Sequence, residues 1–199
     1  MKKLIFILLS FMLVTSMNGQ GYKVGDEATD FNLKNIDGKM VNLKEFPNAK
    51  GFVIVFTCNH CPFAKAYEDR IIAIDKVYKP KGYPVIAINP NDSAMEPDDS
   101  YTMMIKRAHD KSFTFPYLYD VTQKVVNAYG ATNTPHVYVL NKTNNKLVVK
   151  YIGAIDNNSQ DPDKVTEKYL ENALNALVAG KEPQVAFTKA VGCSIKKKS

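Results

Sequence analysis

Cysteine is scarce in this chain of 199 residues: there are three, at positions 58, 61 and 193. A secreted domain stapled by disulfides carries more, and an even number. A zinc ribbon needs a second C-x-x-C, which is missing. A c-type haem site needs histidine after the second cysteine, where Pro62 stands. Excess charge is lacking too. Lysine and arginine number 26 against 20 acidic residues, a net of +6. Lys2, Lys3, Lys196, Lys197 and Lys198 lie at the two ends, and without them the basic side chains nearly match the acidic ones. A near-neutral body argues against a nucleic-acid footprint, and the lysine tail reads as a solvated, disordered end. No run beyond the N-terminus is apolar and long enough to span a membrane. Internal repeats and interdomain linkers are absent, and the length suits one core.

What is present begins with an address. Lys2 and Lys3 precede the apolar run Leu4-Ile5-Phe6-Ile7-Leu8-Leu9, which continues to Val14 and gives way to Thr15, Ser16, Asn18 and Gly19. This is the pattern of a secretory signal, shorter than the ~20 residues of a spanning helix. Residues 1–20 are therefore expected to be a cleaved signal peptide that exports the chain, to the periplasm in a bacterium. Contact with a membrane is expected only through that segment if it stays uncleaved.

Periodicity then outlines an α/β domain over 21–182, followed by a tail, 183–199, that carries Cys193. Asp37-Gly38 sits between alternating flanks, a hairpin signal. Phe52-Val53-Ile54-Val55-Phe56 is apolar throughout, as a strand buried on both faces reads. After Pro62, apolar residues recur at three and four (Phe63, Tyr67, Ile71, Ile74, Tyr78), which predicts an amphipathic helix closed by Pro80 and Gly82. Pro84 to Ile88 is a second buried strand, completing a right-handed βαβ crossover. Asn89 to Ser100 is a polar loop, and Ser100 can cap a helix running through Lys111. A short strand is expected at Tyr117–Tyr119, and a helix from Val121 to Tyr129 ending at Gly130. A hairpin from His136 to Ile152 turns at Asn144-Asn145. Asp161-Pro162 is expected to open the last helix.

Chemistry concentrates in Cys58-Asn59-His60-Cys61, placed where the first buried strand runs into the helix. Unpaired amides and the dipole at a helix start favour negative charge, so the Cys58 pKa is expected to fall. Cys58 is then the nucleophile on a disulfide, and Cys61, one turn inward, resolves the mixed disulfide. His60, if protonated, would place positive charge beside the thiolate and make the couple more oxidising. Cys193 has three open readings: a third redox thiol that exchanges with Cys58, a link between two chains, or an inert buried cysteine. His109 reads as helix surface.

The cysteine motif, Gly25-Asp26, Asp30-Phe31, Phe115-Pro116-Tyr117-Leu118-Tyr119-Asp120, Ala128-Tyr129-Gly130 and Thr134-Pro135 together resemble the thioredoxin superfamily, in particular its peroxiredoxin-like and TlpA/ResA-like branch of exported thiol–disulfide oxidoreductases. The resemblance covers roughly residues 22 to 180. It implies a thioredoxin-like three-layer sandwich, a mixed sheet flanked by helices with an N-terminal β-hairpin extension. It implies a redox-active Cys58–Cys61 disulfide with no organic cofactor, acting on protein thiols and disulfides with an unidentified electron donor or acceptor. It also implies a cis-Pro135, with Thr134 offering its backbone to an extended substrate. Three departures stand out. Phe52 to Phe56 holds no acid to take the Cys61 proton, the P-x-x-x-T-x-x-C pattern of peroxiredoxins is absent, and the tryptophan common before the first cysteine is missing. Two alternatives stay open: a peroxiredoxin-like peroxidase, and a Sco-like copper chaperone with Cys58, Cys61 and His136 as ligands.

Overall fold

The computed structural model describes residues 21–198; the candidate signal peptide, 1–20, lies outside them. Eight strands form one mixed sheet. In chain order they are β1 (Glu27–Ala28), β2 (Leu33–Asn35), β3 (Met40–Val41), β4 (Gly51–Phe56), β5 (Val85–Asn89), β6 (Tyr117–Tyr119), β8 (His136–Thr143) and β9 (Lys146–Gly153). Across the sheet they run β1-β9-β8-β4-β5-β6-β2-β3. The fully buried β4 therefore lies near the middle, parallel to β5 and antiparallel to β8. The hairpin of β2 and β3, with Gly38 at φ 85° in its turn, extends one edge beside β6.

Alternation along β4 sends its side chains to two cores. Val53 and Val55 join Tyr67, Ile71 and Ile74 of α1 (Pro62–Tyr78), Met104 and Ala108 of α2 (Tyr101–Asp110), and Leu170 and Leu174 of α4 (Tyr169–Val178). Phe52, Ile54 and Phe56 face Val126 and Tyr129 of α3 (Lys124–Tyr129), with Phe31 and Leu43 from the N-terminal segment. Helices thus cover both faces, and the α/β three-layer expectation holds. Two acids on the buried side of α1 are fully used. Glu68 accepts both Nε and Nη2 of Arg107 at 2.7 Å, and Asp75 accepts the Val85 amide at 3.0 Å and the Thr114 hydroxyl at 2.8 Å. These bonds fix α1 against α2 and β5, and so fix the start of α1, where the cysteines are.

Three expectations are corrected. The last helix does not open at Asp161-Pro162. One 3-10 turn forms at Pro162–Lys164, and α4 begins only at Tyr169. Between them Asn157 draws the chain out: its Oδ1 accepts the amides of Thr166 and Glu167, both at 3.1 Å. The helix expected from Val121 starts at Lys124, because Gln123 takes a left-handed φ of 56°. The C-terminal tail is not a disordered end. It crosses the molecule, pairs Cys193–Ser194 (β10) with Asn133–Thr134 (β7), and holds Lys196 and Lys198 by their backbones.

Candidate redox site

α1 starts at Pro62 with Cys61 as its N-cap, and Pro62 suits the first position because it has no amide to leave unpaired. Cys58 lies between β4 and this cap. Thr134 ends β7 and Pro135 leads into β8, and their peptide bond is cis, as expected from the resemblance. Because β8 lies beside β4, this turn meets the cysteines. The Cys58 Sγ is 3.1 Å from the Thr134 Oγ1, and the Cys61 Sγ is 3.2 Å from the Thr134 carbonyl oxygen.

The expected Cys58–Cys61 pair is not the disulfide observed. Cys61 is bridged to Cys193, 132 residues later, and Cys58 is the free thiol. Neither the inert reading of Cys193 nor the interchain link matches this arrangement. The physical reason is β10: pairing with β7 sets Cys193 directly opposite Thr134, whose carbonyl touches Cys61. Phe63, Ala64 and the three sulfurs pack as one small apolar cluster.

The expected fall in the Cys58 pKa is also overturned. The amides of His60 and Cys61 do favour the thiolate, as a helix start should, and so does Thr134. Burial outweighs them, with the Asp99 charge adding to it, and the thiol is pushed up to about 12. Cys58 is only 3% exposed.

His60 is tied to a residue the sequence did not single out. Its Nδ1 lies 2.5 Å from Oδ2 of the fully buried Asp99, and Glu96 approaches its Nε2 at 3.7 Å. Asp99 is the hub of the loop after β5. Its Oδ1 accepts the amides of Asn59 at 2.6 Å and His60 at 3.2 Å, and its Oδ2 accepts Asn91 Nδ2 at 2.7 Å. Asn59 in turn donates to the Asp98 carbonyl at 2.9 Å and accepts the Tyr117 hydroxyl at 3.0 Å. The only signals in the sequence for Asp99 were an acid-rich loop at the carboxyl end of a buried strand and an unpartnered histidine.

Cys58, His60 and Asp99 also form the one group among the described residues whose ligand atoms could converge on a metal ion. Every oxygen of Asp99 already has protein donors. His136 stands elsewhere. Val137 and Val139 face α1, so His136 points to the opposite face with Tyr138, 5.0 Å between ring centroids. Its Nδ1 accepts the Thr132 amide at 3.3 Å, and burial lowers its pKa to about 4. His109 is exposed on α2, as expected.

The sequence profile of the AhpC/TSA family matches residues 24–152. The chain belongs to that family. Within the thioredoxin superfamily it is TlpA/ResA-like, and the activity of this class is thiol–disulfide oxidoreduction. The thiol-disulfide oxidoreductase ResA of Halalkalibacterium halodurans is 24% identical over 150 residues, which cover 75% of this chain and 76% of that protein. The crystal structure of an uncharacterized conserved protein from Geobacillus kaustophilus is 36% identical, covers 90% of this chain and 95% of that one, and superposes with a TM-score of 0.82. The fold is shared with a putative thiol:disulfide interchange protein DsbE from Chlorobium tepidum, at 21% identity over 63% of this chain and 82% of that one, with a TM-score of 0.53. In this AhpC/TSA chain the family match ends at residue 152, so the tail that supplies Cys193 lies beyond it.

Proposed function

We propose that Cys58, Cys61 and Cys193 form one relay that exchanges disulfides with exported proteins. The observation that carries this is the Cys61–Cys193 bridge beside a free Cys58, all held at the Thr134–Pro135 turn. In the fully reduced chain, the Cys58 thiolate attacks a substrate disulfide and the first substrate sulfur leaves. Cys61 attacks the Cys58 sulfur, the second substrate sulfur leaves, and Cys58–Cys61 forms. Cys193 then attacks the Cys61 sulfur, and Cys58 leaves and takes a proton. The substrate has gained two electrons and two protons, and the chain rests as Cys61–Cys193. A dithiol donor restores it by reducing that bridge. Run backwards, the same steps oxidise a dithiol.

Thr134 presents its backbone to the substrate, and Pro135 keeps the turn against the sulfurs. His60, seated on Asp99, handles the proton released at the cysteines, the task for which β4 offers no acid. The sulfur atoms carry the electrons, so no organic cofactor enters. Export follows from the charged and apolar segment at 1–20, and it places the chain where substrate disulfides occur.

Turnover of insulin disulfides with dithiothreitol tests this. Cys58→Ser and Cys61→Ser should each lower it at least 100-fold, and Cys193→Ser should retain it while losing the bridged resting state. Wild-type turnover in Cys58→Ser overturns the relay. A tight Cu(I) complex without turnover identifies a copper chaperone instead.

A further inference from the structure

The tail occupies its place by contacts that any extended chain could make. β10 pairs antiparallel with β7, and the Ile195 amide continues the register with a bond to the Thr132 carbonyl at 3.1 Å. Three amide side chains then hold tail backbone. Asn133 Nδ2 donates to the Gly192 carbonyl at 2.9 Å. Asn91 Oδ1 accepts the Lys196 amide at 2.9 Å. Gln123 donates to the Lys196 carbonyl at 2.7 Å and accepts the Lys198 amide at 2.9 Å. Gln123 is buried and holds a left-handed φ, uncommon outside glycine, to do so. Asn91 is 1% exposed.

Within residues 192–198, two positions besides the cysteine pack closely against the groove, and Lys197 Nζ reaches Asn127 Oδ1. A Cβ at Gly192 would fall 2.2 Å from the Thr134 carbonyl oxygen. Ile195 is buried against the α3-side core. Backbone pairing that supplies affinity, with a few positions that supply choice, is how sheet edges bind extended peptides.

We propose that residues 192–198 are a built-in substrate mimic. The groove of β7, Asn91, Gln123 and Asn133 binds an extended protein segment whose cysteine lies opposite Thr134, with a small residue before it and an aliphatic residue two after it. The tail fills this groove until the Cys61–Cys193 bridge is reduced. In that step one thiolate of a dithiol attacks the bridge and forms a mixed disulfide. Its second thiol then closes the dithiol into a disulfide, and Cys61 and Cys193 are left as thiols. The groove depends on the Thr134–Pro135 strand being the substrate strand of the relay.

The probe is a synthetic peptide of residues 188–199 whose cysteine is capped as a 2-pyridyl disulfide, mixed with full-length Cys193→Ser protein. Thione release should be at least tenfold faster than from a scrambled peptide. A Gly192→Val peptide should fall to the scrambled rate, and an unreactive peptide with serine in place of the cysteine should block the reaction. Equal rates for all peptides overturn the groove and leave the relay standing; no release from any peptide overturns both. In the wild-type protein, amide hydrogen exchange at residues 195, 196 and 198 should speed at least tenfold on adding dithiothreitol. Unchanged protection overturns the latch.

Discussion

Cys58 shows how two effects at one atom compete. The helix start supplies amides that lower a thiol pKa, and the enclosure beneath the tail strand raises it further than they lower it. Asp99 adds to the rise through its charge, while it also seats His60. Asp99→Asn, with the bridge intact, should therefore lower the Cys58 pKa below about 12, which an NMR titration of the cysteine Cβ would read. An unchanged or higher pKa would contradict the contribution of the Asp99 charge. His136 gives the molecule a different sensitivity. Its folded pKa of about 4 lies below the ordinary 6.5, so the folded state resists protonation that the unfolded chain accepts. Its contribution is full above pH 6.5 and is lost as the pH falls towards 4, up to about 3 kcal/mol at ~1.4 kcal/mol per unit. Urea denaturation of wild type and His136→Phe at pH 7 and pH 4 should show the acid loss shrinking in the variant.

At the scale of elements, the parts that follow a local period were legible in the sequence. β4, α1 and β5 stand where apolar runs and three-four spacing put them, because each buries its own stripe. Elements set by distant partners were not. α4 loses its expected first turns to the Asn157 side chain, and β10 is two residues long with no pattern to read. Half of the site shares this fate. Cys58, Cys61, His60 and Thr134-Pro135 announce themselves as motifs, whereas Asp99, Asn91 and Gln123 act only through contacts across 8 to 105 residues. β10 is the element most open to a single change. Gly192→Val drives a side chain into the Thr134 carbonyl, so the tail should lift while the eight-stranded sheet persists. Far-ultraviolet circular dichroism should stay near wild type, and proteolysis should cut the variant first between residues 181 and 199. Equal resistance of variant and wild type would contradict the close approach.

For the whole molecule the bridge closes one long loop, from the start of α1 to the C-terminal tail. A cross-link 132 residues apart restricts the unfolded chain by up to about 5 kcal/mol in the loop-entropy description. At ~2–4 °C per kcal/mol for a domain of this size, reduction should lower the melting temperature by on the order of 10 °C. Cys193→Ser should melt at the temperature of the reduced wild type and ignore dithiothreitol. In the proposed relay the same bridge joins stability to activity, since it holds the tail beside Cys58. Peptide mapping of the oxidised protein, quenched in acid and alkylated without reduction, decides whether this arrangement exists. The structure predicts a linked pair of peptides carrying Cys61 and Cys193, with Cys58 alkylated. A Cys58–Cys61 disulfide with Cys193 alkylated would contradict it.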